Sequence, residues 1–150
     1  MRVEMDLGEN PRSLSEPDVI VAGDSEVVFI EAKYRSGNDH AGRDDARWNR
    51  YLSNTEAFAD PALIRGSGLY ELARNWRIGW DFAGEGRFAL INLAPPELFS
   101  HEEVALEMFE RGLRAARGRH FHRWTWKMLL DLLPVHPQWL VEYCRQRNIS

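Results

Sequence analysis

The sequence predicts an α/β fold, a mixed β-sheet flanked by helices. Three observations carry this expectation. Strand-like runs fill the early part of the chain, two helical stretches separate the third run from a fourth, and 150 residues suffice for one domain with a real core but not for two ordinary ones. Hydrophobic residues make up 44% and charged residues 28%, which excludes a largely disordered chain. No apolar run approaches the ~18 residues of a membrane-spanning helix, and the N-terminus has no charged-then-apolar signal pattern. The single cysteine, Cys144, excludes an internal disulfide and a Cys-rich zinc site, and suits a reducing, cytoplasmic compartment.

Each element follows from local pattern. Arg2–Leu7 alternates, with Val3, Met5 and Leu7 on one face and Arg2, Glu4 and Asp6 on the other, the period of a half-buried strand. After a loop marked by Asn10-Pro11, Asp18–Ala22 and Val27–Tyr34 are β-branched and aromatic runs around Gly23-Asp24-Ser25-Glu26, which reads as a hairpin. Helices are expected over about Asp45–Phe58 and about Leu69–Phe82, with Trp76 and Trp80 as core residues one turn apart. Arg87–Leu93 is a buried-strand pattern stopped by Pro95-Pro96. The last third reads as wholly helical. Ser100 to Glu103 has capping-box spacing, Gly118 sits at a helix stop, and Phe121–Leu133 ends at Pro134. A final helix after Pro137 carries Trp139, Leu140, Tyr143 and Cys144 as one apolar stripe.

Charge is distributed unevenly. Residues 1–60 hold 7 basic and 13 acidic side chains, residues 61–110 hold 4 and 8, and residues 111–150 hold 8 and 2. The overall charge of −4 disfavours a surface that coats nucleic acid everywhere, but permits a local basic patch near the C-terminus.

The hairpin brings chemistry together. Glu31 and Lys33 are two apart on one strand and share a face. A turn centred on Asp24-Ser25 pairs residues whose numbers sum to 49, which sets Asp18 opposite Glu31. Like charges opposed in apolar strands destabilise a sheet, so the arrangement points to a ligand. Two close carboxylates suit a hard divalent cation, and a lysine beside them suits charge developing on a phosphate or an attacking water. The plain alternative is a solvated strand end at Asp18 and a surface Glu31–Lys33 pair on a half-exposed sheet.

Glu16-Pro17-Asp18-Val19-Ile20-Val21, followed by Phe29-Ile30-Glu31-Ala32-Lys33, resembles the PD-(D/E)xK nuclease superfamily, the restriction-endonuclease-like fold. The likeness lies in Pro-Asp, twelve intervening residues, and Glu-x-Lys at a strand end. It implies that Asp18 and Glu31 bind Mg2+, with Mn2+ able to substitute, and that Lys33 assists the attacking water or the transition state. It also implies hydrolysis of phosphodiester bonds, with DNA the expected nucleic-acid partner. The likeness spans about residues 2 to 94, so 1–94 reads as a nuclease-like core and 95–150 as a helical C-terminal extension packed on it. The family core usually opens with a helix, whereas this chain begins at Met1 almost inside its first strand. That helix is expected to be lost or replaced by another segment, or the chain to be a shortened form of a longer protein, with a homodimer or a partner as the accompanying expectation. Glu4, Asp6 and Glu16 are the remaining acidic candidates for a metal contact, each more simply an ordinary strand or loop charge.

Two further groups bear on nucleic acid. Arg74 and Asn75, on the helix before the fourth strand, are candidates for phosphate contact, set against simple solvent exposure. Arg111, Arg114, Arg117, Arg119, Arg123 and Lys127, interleaved with Phe121, Trp124 and Trp126, form a basic and aromatic segment suited to phosphates and bases, or to the outer faces of amphipathic helices. Arg114, Arg117 and Arg123 are its chosen contacts. His120, His122 and His136 lack the cysteine or fixed carboxylate of a zinc site, and Cys144 reads as a buried, inert thiol. Against the nuclease stand two other classes: a catalytically silent module of the same fold that binds nucleic acid or a protein, and a purely structural or protein-interaction domain, which metal-independent stability without nucleic-acid binding would indicate.

Overall fold

The computed structural model describes residues 17–34, 36–38 and 45–146. The strand expected at Arg2–Leu7, and Glu4, Asp6 and Glu16, lie outside them. Four strands form one mixed sheet in chain order: β1 (Val19–Ala22), β2 (Glu26–Ala32), β3 (Arg87–Ala94) and β4 (Arg119–Thr125). β1 and β2 are the antiparallel hairpin, in the register Val19↔Ile30 to Ala22↔Val27. Gly23 N–H donates to the Glu26 carbonyl at 2.8 Å, which leaves Asp24-Ser25 as the turn. β3 runs parallel to β2, and β4 parallel to β3. Parallel neighbours need long crossovers. The first crossover contains α1 (Asp45–Leu52), α2 (Pro61–Ser67) and α3 (Tyr70–Ala83); the second contains α4 (Pro96–His101) and α5 (Glu103–Gly112). Two more helices, α6 (Trp126–Asp131) and α7 (Gln138–Gln146), follow the last strand.

The sheet alternation places Val27, Phe29, Phe88 and Leu90 on the face covered by helices, where they are buried with Leu72, Trp76, Ile64, Leu106 and Phe109. α3 lies against β2 and β3, and its residues from Tyr70 to Gly79 are buried almost without interruption. Gly79 makes this approach possible, because a Cβ there would meet the Phe88 ring at 2.0 Å. A helix buried on several sides needs partners for its polar members. Arg77 bonds Asp81 and reaches the carbonyls of Tyr51, Ser53 and Asn54, tying down the chain after α1. Trp76 Nε1 donates to the Ala57 carbonyl at 2.9 Å.

Several expectations for the last third are corrected. Arg119–Thr125 is the fourth strand of the sheet and not the start of a helix, so residues 95–150 are not a purely helical extension. Its inward positions are Arg119, Phe121 and Arg123, and each charge is met. Arg119 bonds the carbonyls of Gly84 and Gly86 and lies over the Trp80 ring, while Arg123 pairs with Glu103 and Glu110 of α5. Ser100 lies inside α4 and donates to the Pro96 carbonyl, so it caps nothing; the helix breaks at Glu102. Gly118, at φ +74°, turns the chain from α5 into β4. Within the α7 stripe Trp139 is 69% and Tyr143 46% exposed. Cys144 is half-buried, beside a cavity of about 340 Å3 walled by aromatic and aliphatic side chains of α6 and α7 with Tyr34. Among the described residues no helix is long and apolar enough to cross a membrane.

Candidate active centre

The covered face of the sheet changes character near the C-terminal ends of its parallel strands. One row is apolar across the whole sheet: Ile20, Phe29, Leu90 and Phe121. The next row on the same face is polar: Glu31 of β2, Asn92 of β3 and Arg123 of β4 are successive register partners, and one further step of the β1–β2 register sets Asp18 beside Glu31. This confirms the predicted hairpin register. α3 closes over the row with Glu71, Arg74 and Asn75, which share a helix face by their three- and four-residue spacing.

The resulting network is tightly connected. Lys33 Nζ lies 2.8 Å from Glu31 Oε1 and 2.6 Å from Glu71 Oε2. Asn75 Nδ2 donates to Glu31 Oε2 at 2.8 Å, and Arg74 Nε donates to Asn75 Oδ1 at 3.2 Å. Asp18 Oδ2 accepts the Ala32 N–H at 2.8 Å, pinning the exposed start of β1 to the end of β2. The Lys33 N–H continues the parallel ladder to the Leu93 carbonyl, and the Lys33 carbonyl accepts from Trp126 Nε1 at 3.0 Å. Backbone and side chain of Lys33 are therefore both held.

Glu31 is 4% exposed and Lys33 9%, so the pair is not a half-exposed surface contact. Burial raises the Glu31 pKa; Lys33 opposes that shift, and the charges of Asp18 and Glu71 add to it, leaving it above 4.5. Burial pushes the Lys33 ammonium down, but its bonds to Glu31 and Glu71 outweigh burial and hold it above 10.5. Lys33 is accordingly a fixed positive charge near neutral pH, not a base.

Glu31 and Glu71 hold the Lys33 ammonium, with the Asp18 carboxylate beside Glu31 and the Arg74 guanidinium on Asn75; three carboxylates against two cations leave one negative charge that a bound cation would offset. The donors are carboxylate oxygens, which are hard and suit Mg2+. Among the described residues no group of three or more His, Cys, Asp or Glu side chains gathers as a ligand cage. Asp18 and Glu31 would hold an ion as two protein ligands, with the remaining positions left to water or phosphate, the arrangement Mg2+ prefers.

The other sequence candidates are placed as follows. Arg74 and Asn75 are buried within the network, not solvent-exposed; Asn75 is a brace for Glu31, and Arg74 has only Asn75 as a hydrogen-bond partner among the described residues. Arg114 is engaged by the Glu56 carbonyl and Arg123 by Glu103 and Glu110. Arg117 is exposed in the turn before β4 and has no partner among the described residues. Glu71, a member of the network, and Asn92, which lies in the polar row between Glu31 and Arg123 without joining the network, were passed over by sequence reasoning. Glu71 was signalled by its helical spacing to Arg74 and Asn75, and Asn92 by being the single polar side chain in Phe88–Ala94. Comparison with family models, curated proteins and solved structures finds no match for this chain.

Proposed function

We propose that the chain is a metal-dependent nuclease of the PD-(D/E)xK kind, hydrolysing phosphodiester bonds of nucleic acid, with DNA as the preferred substrate. The observation that carries this reading is the junction of Asp18, at the start of β1, with Glu31 and Lys33, at the C-terminal end of β2, in the register that the motif requires. A bound divalent cation would supply Lewis acidity and lower the pKa of a water. The protein's own groups do the rest. Asp18 and Glu31 provide oxygen ligands. Asn75 orients Glu31 by occupying its second oxygen. Lys33 is an ammonium poised to turn from Glu31 toward a phosphate oxygen, where a charge aimed at the transition state is most effective. Arg74, whose Nε is tied to Asn75, offers its remaining guanidinium donors for a phosphate.

Plasmid, linear and single-stranded DNA and RNA, incubated with the protein with and without Mg2+ or Mn2+, test the reading. Cleavage that requires metal and disappears in Asp18→Asn supports it. Nucleic-acid binding by a wild type that does not cleave would favour the catalytically silent module instead.

A further inference from the structure

One hydrogen-bonding group in the polar row is left over. Asn92 lies between Glu31 and Arg123, its register partners in the two parallel ladders. Its side chain is fully buried, and neither Nδ2 nor Oδ1 has a hydrogen-bond partner among the described residues. Its neighbours are engaged: Glu31 with Lys33 and Asn75, Arg123 with Glu103 and Glu110. Asparagine is disfavoured in strands, and a buried amide without a partner is costly, so stability alone would place an aliphatic residue here. A water molecule would satisfy it. The carboxamide offers two donors and an acceptor, the adjacent carboxylate offers lone pairs, and buried waters typically take two to four such partners.

We infer that Asn92 is a positioning residue of the candidate active centre, holding a buried water against the Glu31 carboxylate. The inference rests on the nuclease reading and deepens it. Glu31 Oε1 loses its donor when Lys33 turns toward a phosphate, and the water held by Asn92 takes that place, so the carboxylate keeps its orientation. Groups that orient a metal-binding carboxylate in this way are worth roughly 10- to 100-fold in metal affinity or activity when removed.

The test compares the full chain as wild type, Asn92→Leu and Asn92→Ser, by Mg2+ titration of the melting temperature and by steady-state cleavage. Asn92→Leu should melt no lower than wild type without metal. Its half-saturating Mg2+ concentration should rise about 10- to 100-fold, and kcat should fall at unchanged KM for nucleic acid. Asn92→Ser, which keeps a polar group and room for water, should return both quantities toward wild type. If Asn92→Leu does not fold, Asn92→Ala takes its place beside Asn92→Ser. A stable variant whose Mg2+ response and kcat match the wild type overturns this inference alone. A wild type with neither a Mg2+ response nor cleavage overturns the nuclease reading, and the inference with it.

Discussion

Replacing Glu71 with glutamine removes one of the two carboxylates that hold Lys33. The contact is 2.6 Å long and its side chains are 11% and 24% exposed. It is therefore neither a surface pair, worth about 0–1 kcal/mol, nor a sealed pair whose rupture costs about 3–5 kcal/mol. Lys33 keeps Glu31 at 2.8 Å, so the ammonium is not stranded. Glutamine still presents a neutral oxygen to it. The ammonium stays charged, so its bond to glutamine remains charge-assisted; what is lost is the ion-pair part of a partly buried contact, between the surface and sealed limits, at a cost of about 1–2 kcal/mol. In a domain of this size that is a fall of about 2–8 °C in melting temperature. The cost should also depend on pH. The folded pKa of Lys33 is raised above 10.5, so its contribution is fully present below 10.5 and is lost as pH rises through the higher folded value. Urea unfolding followed by tryptophan fluorescence should show a difference between wild type and Glu71→Gln that holds at neutral pH and shrinks above pH 10.5. No difference at neutral pH, or one that persists unchanged into the alkaline range, would refute the clamp.

Mg2+ should raise the melting temperature of the wild type, since a ligand that prefers the native state stabilises it, and Asp18→Asn should reduce the rise; an equal rise in both would remove the metal assignment. Because the Glu31 pKa is raised, its protonation should weaken that Mg2+ effect as pH falls, beginning above 4.5, and a Mg2+ effect undiminished down to pH 4.5 would contradict the shift. Gly79→Ala should be destabilising by about 1–3 kcal/mol through overpacking against Phe88, partly offset by a helix-propensity gain of about 1 kcal/mol; denaturant unfolding that shows a net gain would contradict the close approach of α3 to β3. Arg117→Gln should flatten the salt dependence of nucleic-acid binding, whereas Arg123→Gln should lower stability and leave the salt slope alone; the reverse pattern would place the phosphate contact at Arg123.

The hairpin and its register were legible because β-branched and aromatic runs flank a short polar turn, and a turn fixes which residues face each other. The helix through Trp76 and the strand after Gly86 were legible from apolar periodicity. β4 was not. Its inward positions, Arg119, Phe121 and Arg123, include one apolar residue, so the alternation that marks a strand is missing. What replaces it is tertiary: the carbonyls of Gly84 and Gly86 for Arg119, and the α5 carboxylates for Arg123. Within the basic segment these partners account for Arg119 and Arg123, whose contacts lie far away in sequence, and leave Arg117 exposed. At the site, Asp18, Glu31 and Lys33 followed from strand geometry. That Arg74 and Asn75 are buried could not, because helix periodicity gives a face and not what covers it. Glu71 was passed over because helical spacing alone does not show that it faces Lys33, which is distant in sequence.

The measurement that bears most directly on the central claim is metal-dependent cleavage by wild type and Lys33→Ala, compared under conditions where both are fully folded. Both carboxylates remain in the variant, so its Mg2+-induced rise in melting temperature should survive. A charge that acts mainly in the transition state is worth about 2.7–4 kcal/mol, so the rate should fall roughly a hundred- to a thousandfold. Cleavage by Lys33→Ala at the wild-type rate, with the same metal requirement, would contradict the account.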